Sequence, residues 1–178
     1  DNLGGASLAA RLGAASADHL VKTSPADIRA LAQGDTVAVA LPCTPFGLAE
    51  CEYTPARKII DAGGILALAT DCNPGTTWNE SMQFVIALAC RSMKLTPAEA
   101  IAASTINSAH AIRRADTIGS ITVTGNLVRI DFVSMSAGQP ADAKAQRRFE
   151  VTERVVLPLD GFLRGMAYWI GGAQREEL

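Results

Sequence analysis

Between Ala14 and Asp71 the chain repeats one phrase: a short run of small or apolar residues, then a helix-like segment opened by Ser-Pro or Thr-Pro and closed by glycine. The runs are "AASADHL", "TVAVALP" and "ILALATD", and the segments between them are "SPADIRALAQGD" and "TPARKIIDAGG". Ser24 and Thr54 stand where N-caps belong, Pro25 and Pro55 at the first helical position, and Gly34 and the Gly63-Gly64 pair where a helix stops. Runs this apolar lack the in-out alternation of a sheet with one wet face. They therefore predict parallel strands covered by helices on both faces, an α/β fold. In such folds chemistry gathers at the carboxyl ends of the strands, which groups His19, the Pro42 to Phe46 loop and Asp71.

The flanks extend this pattern. Leu3 to Leu12 has helical spacing with Gly13 as its stop. "ESMQFVIALACRSMKL" reads as a long apolar-faced helix, and "TPAEAIAASTINSAHAI" as one further helix with Thr96 as cap, Pro97 at its first position and Glu99 in its first turn. Beyond Gly119, "SITVTGNLVRIDFVS" reads as a hairpin turning at Thr124-Gly125-Asn126, "SAGQPADAKAQ" as a loop, and "LDGFLRGMAYWIGGAQREEL" as a segment with a charged tail.

Composition removes several classes of function. A chain of 178 residues can form one ordinary domain with a sizeable core, and a net charge of -2 offers no basic field for nucleic acid. The longest apolar runs, Val37 to Leu41 and Ile65 to Ala69, fall far short of the ~20 residues that cross a bilayer, and "DNLGGASLAARLG" lacks the form of a secretory signal. Cys43, Cys51, Cys72 and Cys90 form no CxxC pair and no zinc-ligand spacing, so they read as free thiols of a reducing cytoplasm.

Asp71 is the sharpest candidate. A carboxylate placed at the mouth of an apolar strand needs a cation or a dense set of donors, because an unpaired charge there costs several kcal/mol. It is either such a site or an Asx-type cap on the Asn73-Pro74-Gly75 turn. His19 is either a catalytic group or a satisfied structural histidine, Asp18 either a surface charge or its orienting partner, and His110 reads as structural or exposed. Asn73, Gly75, Thr76 and Thr77 form a loop whose backbone N–H groups and hydroxyls would suit a substrate carboxylate, or else an ordinary turn. Glu50, Glu52 and Tyr53 read as solvated loop residues.

In their order and spacing, "SADHL", "ALPCTPFGLAE", "LALATDCNPGT", "SMQFVIALACRSMKLTPAEAIAASTINSAHAI" and "RADTIGSI" closely resemble the C-terminal half of imidazolonepropionases, amidohydrolase-superfamily enzymes of histidine breakdown. The resemblance runs from Leu3 to Ile121. It implies the C-terminal portion of a (β/α)8 TIM-type barrel, with residues 1–121 a partial barrel and 122–178 a diverged region holding a small β element and a tail. It also implies a cytoplasmic homodimer, one zinc or iron, and hydrolysis of 4-imidazolone-5-propanoate to N-formimino-L-glutamate. By position, Asp71 matches the metal ligand that takes a proton from the bound water. His19 matches the histidine that polarises the reacting carbonyl, and Asn73, Gly75 and Thr76 match the loop that holds substrate. The family's His-x-His pair, its third metal histidine and its catalytic glutamate all belong ahead of Asp1, so this piece alone is expected to hydrolyse little or nothing. The family's "GK.ADL" and "VIK.G" phrases are missing after Ile121. Two other readings stand beside this one: a related metal-dependent cyclic amidohydrolase or deaminase, and a non-catalytic α/β module that binds a small molecule or a partner.

Overall fold

The computed structural model describes residues 1–116, 118 and 119, together with the backbone of three strands over 121–124, 127–135 and 149–158. The expected Gly125-Asn126 turn, the "SAGQPADAKAQ" loop and the charged tail lie outside the described residues.

Three short strands, β1 (Ser16–Asp18), β2 (Val37–Ala40) and β3 (Leu66–Leu68), pair in parallel in the order β1-β2-β3, with Ala17 opposite Ala38 and Val39 opposite Ala67. The reason for their unbroken apolar runs is visible in the packing. Ala38, Ala40, Leu66 and Leu68 join a cluster with Ile28, Leu31, Ile59, Val85 and Leu88 from the helices. The alternate residues Val37, Val39, Leu41 and Ala67 pack together on Ala111. Neither set leaves a wet face. Each fully buried Leu, Ile or Val contributes about 1.5–3 kcal/mol.

The helices that supply the first cluster are short. α1 (Gly5–Arg11) precedes β1, while α2 (Pro25–Ala32) and α4 (Ala56–Asp61) cross between the strands. α5 (Met82–Met93), α6 (Pro97–Ser104) and α7 (Ile106–Ala111) follow β3. Helices below ~12 residues are marginal alone, so caps and packing must hold them. α2 and α6 each carry a full capping box: Ser24 with Asp27, and Thr96 with Glu99. Arg57 on α4 forms a two-pronged pair with Glu99 on α6, with contacts of 2.8 and 2.9 Å, which ties a crossover helix to one that follows β3.

Four local expectations are corrected. The Pro42 to Phe46 loop is a short helix, α3 (Cys43–Gly47), because Pro42 enters it already helical (φ -67, ψ -18) and Phe46 N–H bonds to its carbonyl. Thr54 does not cap α4. Pro55 takes the N-cap position, and the Thr54 hydroxyl instead donates to the His19 carbonyl. The third strand ends at Leu68 rather than at Asp71. The single helix expected from Pro97 breaks at Thr105 (φ -123, ψ -92) into α6 and α7. Hydroxyls compete with the backbone there: Ser104 bonds to Ala100 O, Thr105 to Ile101 O, and Ser108 reaches across to Leu68 O.

A second sheet is antiparallel, with β4 (Ile121–Thr124), β5 (Leu127–Met135) and β6 (Phe149–Pro158) in that order. Thr124 pairs with Leu127, as the expected hairpin requires. β6 adds a third strand that the sequence did not signal. No helix among the described residues is long and apolar enough to cross a membrane.

Candidate active site

His19 directly follows β1 and holds a left-handed backbone (φ 68), as does Leu20 (φ 61). The turn is braced by its own chain: Leu20 N–H bonds to Asp18 O, and the Thr23 hydroxyl bonds to Leu20 O. Asp71 lies three residues beyond β3 and is also left-handed (φ 53). A side chain pays about 1–2 kcal/mol to sit in that region. Two turns from two strand ends thus aim at one place. His19 Nε2 and Asp71 Oδ2 are 4.0 Å apart, too far for a direct hydrogen bond and close enough to act on one small group. The imidazole is 53% exposed and the carboxylate 27%.

Asp71 is held from two sides. The Thr44 hydroxyl on α3 donates to its Oδ2 at 2.6 Å, and the Asn73 side-chain amide donates to its backbone carbonyl at 2.6 Å. Among the described residues, Oδ1 accepts no hydrogen bond. Beside Thr44, the buried Cys43 thiol takes a bond from Asn79 Nδ2 at 3.2 Å. Burial pushes the thiol's pKa up and Asp71 adds to the rise, against the lowering effect of Asn79, so it stays a neutral thiol at pH 7. Thr44, Cys43 and Asn79 were not singled out in the sequence. The one signal for the first two was their place at the carboxyl end of β2.

The loop after Asp71 corrects an expectation. The N–H groups of Gly75 and Thr76 are not open to a ligand, because Asn73 Oδ1 accepts both at 2.9 Å. Asn73, not Asp71, is therefore the residue that caps the turn. Asn73 N–H also bonds to Thr77 O at 2.8 Å, which closes the loop on itself. The closed loop rests on the end of α3. A Cβ at Gly47 would lie 2.2 Å from the Thr76 carbonyl oxygen, so only glycine permits this approach.

The remaining candidates fall elsewhere. His110 Nε2 lies 2.8 Å from Asp35 Oδ1, and Arg113 pairs with the other oxygen. This cluster sits ahead of β2, at the opposite end of the sheet. Glu50 and Asp18 are exposed, and Glu52 pairs with Lys22 at the surface. An open cleft of about 520 Å³ along β1 and α1 is lined by His19 but not by Asp71. Its lining includes Asp27, a buried carboxylate that the sequence reading passed over. It receives bonds from the Asn2 amide, from Ser7 through N–H and hydroxyl, and from Ser24, and these donors depress its pKa strongly. Among the described residues no three metal-ligating side chains converge.

The sequence model of the amidohydrolase family matches residues 4–135. The chain belongs to the amidohydrolase family. This amidohydrolase is 59% identical over 121 residues to the imidazolonepropionase of Herpetosiphon aurantiacus, which covers 68% of this chain and 28% of the relative. It is 53% identical over 133 residues to that of Porphyromonas gingivalis, covering 74% and 31%, and 51% identical over 120 residues to that of Desulfotalea psychrophila, covering 67% and 29%. The resemblance read from the motifs is thereby borne out, and the chain spans under a third of the length of these relatives. Among solved structures, an adenosine deaminase from Xanthomonas campestris with bound zinc superposes with a TM-score of 0.56 over 93% of this chain and 44% of that one. At 18% identity this likeness speaks for the amidohydrolase fold alone.

Proposed function

We propose that this chain is the C-terminal part of an imidazolonepropionase, which hydrolyses 4-imidazolone-5-propanoate to N-formimino-L-glutamate. The observation that carries the proposal is the meeting of His19 and Asp71, 4.0 Å apart on turns that leave parallel strands, beside a closed polar loop. In the complete enzyme we place these strands in a (β/α)8 barrel, and the enzyme as a homodimer in the cytoplasm.

The reading includes one divalent metal, zinc or iron. The donors present fit part of such a site: among the described residues no hydrogen bond reaches Asp71 Oδ1, and a carboxylate suits either ion. One carboxylate does not complete a coordination sphere, and the other ligands are assigned to histidines earlier in the enzyme. When bound, the metal supplies a water made acidic towards a pKa of about 7. Asp71 then takes a proton from the attacking water and returns it to the ring nitrogen as the C–N bond breaks. His19 Nε2 donates towards the ring carbonyl oxygen as negative charge builds there.

Asn73 holds the loop in shape, and Gly75 leaves room for the substrate. The Thr76 hydroxyl accepts from Asn73 Nδ2 at 3.0 Å and donates to Asn73 Oδ1 in a longer bond of 3.2 Å, which it would give up to donate to the propanoate carboxylate. The test is imidazolonepropionate hydrolysis with metal analysis on the full-length enzyme and its Asp71→Ala variant. Loss of both turnover and metal is expected. Full activity in the variant would end the proposal and return Asp71 to a structural role.

A further inference from the structure

In the proposed enzyme Asp71 must offer its carboxylate at one fixed angle, yet its own backbone works against this. At φ 53 it occupies a region that a non-glycine residue enters only when its neighbours hold it. Asn73 holds the main chain, through its bond to Asp71 O. The carboxylate would still be free to turn about its own bonds. The only side chain among the described residues that bonds to it is Thr44, whose hydroxyl donates to Oδ2 at 2.6 Å.

We infer that Thr44 is a positioning residue: by pinning Oδ2 it leaves Oδ1, which accepts no hydrogen bond among the described residues, as the working oxygen of Asp71. The inference rests on the reading of Asp71 given above. Thr44 is itself well placed for the task. It sits in the first turn of α3, where Thr44 N–H bonds to Leu41 O at the end of β2 and Thr44 O accepts Leu48 N–H. Its backbone is therefore tied to the segment that leaves β2. Neighbouring Cys43 is buried and bonded to Asn79, which fixes the same turn from the inside. Threonine hydroxyls often bond to a carbonyl of their own helix, and this one bonds to a carboxylate 27 residues away instead. A partner that orients a ligating carboxylate typically accounts for 10–100-fold in metal affinity or activity.

The experiment compares Thr44→Val, Thr44→Ser and Asp71→Ala in the full-length, metal-loaded enzyme. It reads kcat, KM, and the rate at which a chelator strips the metal. Thr44→Val removes the donor at nearly constant volume and is expected to lower kcat about 10–100-fold with KM within about twofold, and to speed metal loss by a similar factor. Thr44→Ser keeps the donor and should restore both readouts. If Thr44→Val matches the wild type in both while Asp71→Ala is inactive and metal-free, the positioning role is refuted and the enzyme reading survives. If Thr44→Ser is as impaired as Thr44→Val, the methyl group and not the hydroxyl matters, and the inference again fails. If Asp71→Ala keeps both turnover and metal, the underlying reading is the one that falls.

Discussion

Replacing Gly47 by alanine probes how the proposed substrate loop is held. The new Cβ would lie 2.2 Å from the Thr76 carbonyl oxygen, and ordinary contacts begin above 3 Å, so something must move by about 1 Å. The helix end cannot absorb this easily, since Phe46 on α3 stacks edge-on against Phe84 of α5 with ring centroids 5.0 Å apart. The loop must move instead, and it moves as a unit, because Asn73 bonds Gly75, Thr76 and Thr77 together. Asn73 also holds the Asp71 carbonyl, so the displacement reaches the carboxylate. Overpacking of this kind costs about 1–3 kcal/mol. A shift of about 1 Å in a catalytic group costs on the order of 100-fold in rate. Urea denaturation and steady-state imidazolonepropionate hydrolysis on the full-length enzyme should therefore both register Gly47→Ala. Gly75→Ala, whose Cβ would meet only Asn73 Oδ1 at 3.2 Å, should be milder in its effect on stability. A Gly47→Ala enzyme with wild-type stability and rate would refute the claim that α3 sets the position of the loop.

Glu99 has its pKa lowered to about 2 from 4.5, chiefly by the Arg57 guanidinium, so the pair's stabilisation is complete above about pH 4.5 and is lost as the pH falls through 2. Full linkage would amount to ~3 kcal/mol, and exposure of 30% and 34% for the two side chains reduces this to ~1–2 kcal/mol. Acid denaturation should accordingly be shallower for Glu99→Gln than for the wild type, and equal slopes would show that the pair is energetically idle. Asp27→Ala leaves donors from Asn2, Ser7 and Ser24 without their shared acceptor, and should lower unfolding stability by about 2–4 kcal/mol. Limited proteolysis of that variant should cut first near Gly13, after a loosened α1, and an unchanged cleavage pattern would contradict the tie.

The parts of the fold that depend on neighbours in the chain were readable in advance. Ser24-Pro25 and Thr96-Pro97 announce their helices through bonds that span three residues, and the apolar runs of β2 and β3 require cover on both faces. Strand-end logic also grouped His19, the Pro42 to Phe46 stretch and Asp71, and the structure does bring Thr44 from that stretch onto Asp71. What escaped were choices among equivalent partners. Asn73 and Asp71 can both cap a turn, and only the three-dimensional path of the loop decides that Asn73 does so. Thr105 breaks a helix with neither proline nor glycine nearby, through hydroxyls whose targets depend on rotamers. Asp27 gathers donors from residues up to 25 positions away, a distance at which no local pattern exists.

The left-handed backbones of His19, Leu20 and Asp71 bear on how such a protein could be improved. A laboratory selection for heat resistance alone would favour glycine or asparagine at His19 and Asp71, where either residue relieves local strain, while Leu20 also packs against the core. Substitution at His19 or Asp71 would remove an imidazole or a carboxylate from the proposed catalytic pair. Survivors of such a selection would be sturdier and inert, so any stabilisation programme for this chain should hold 19 and 71 fixed.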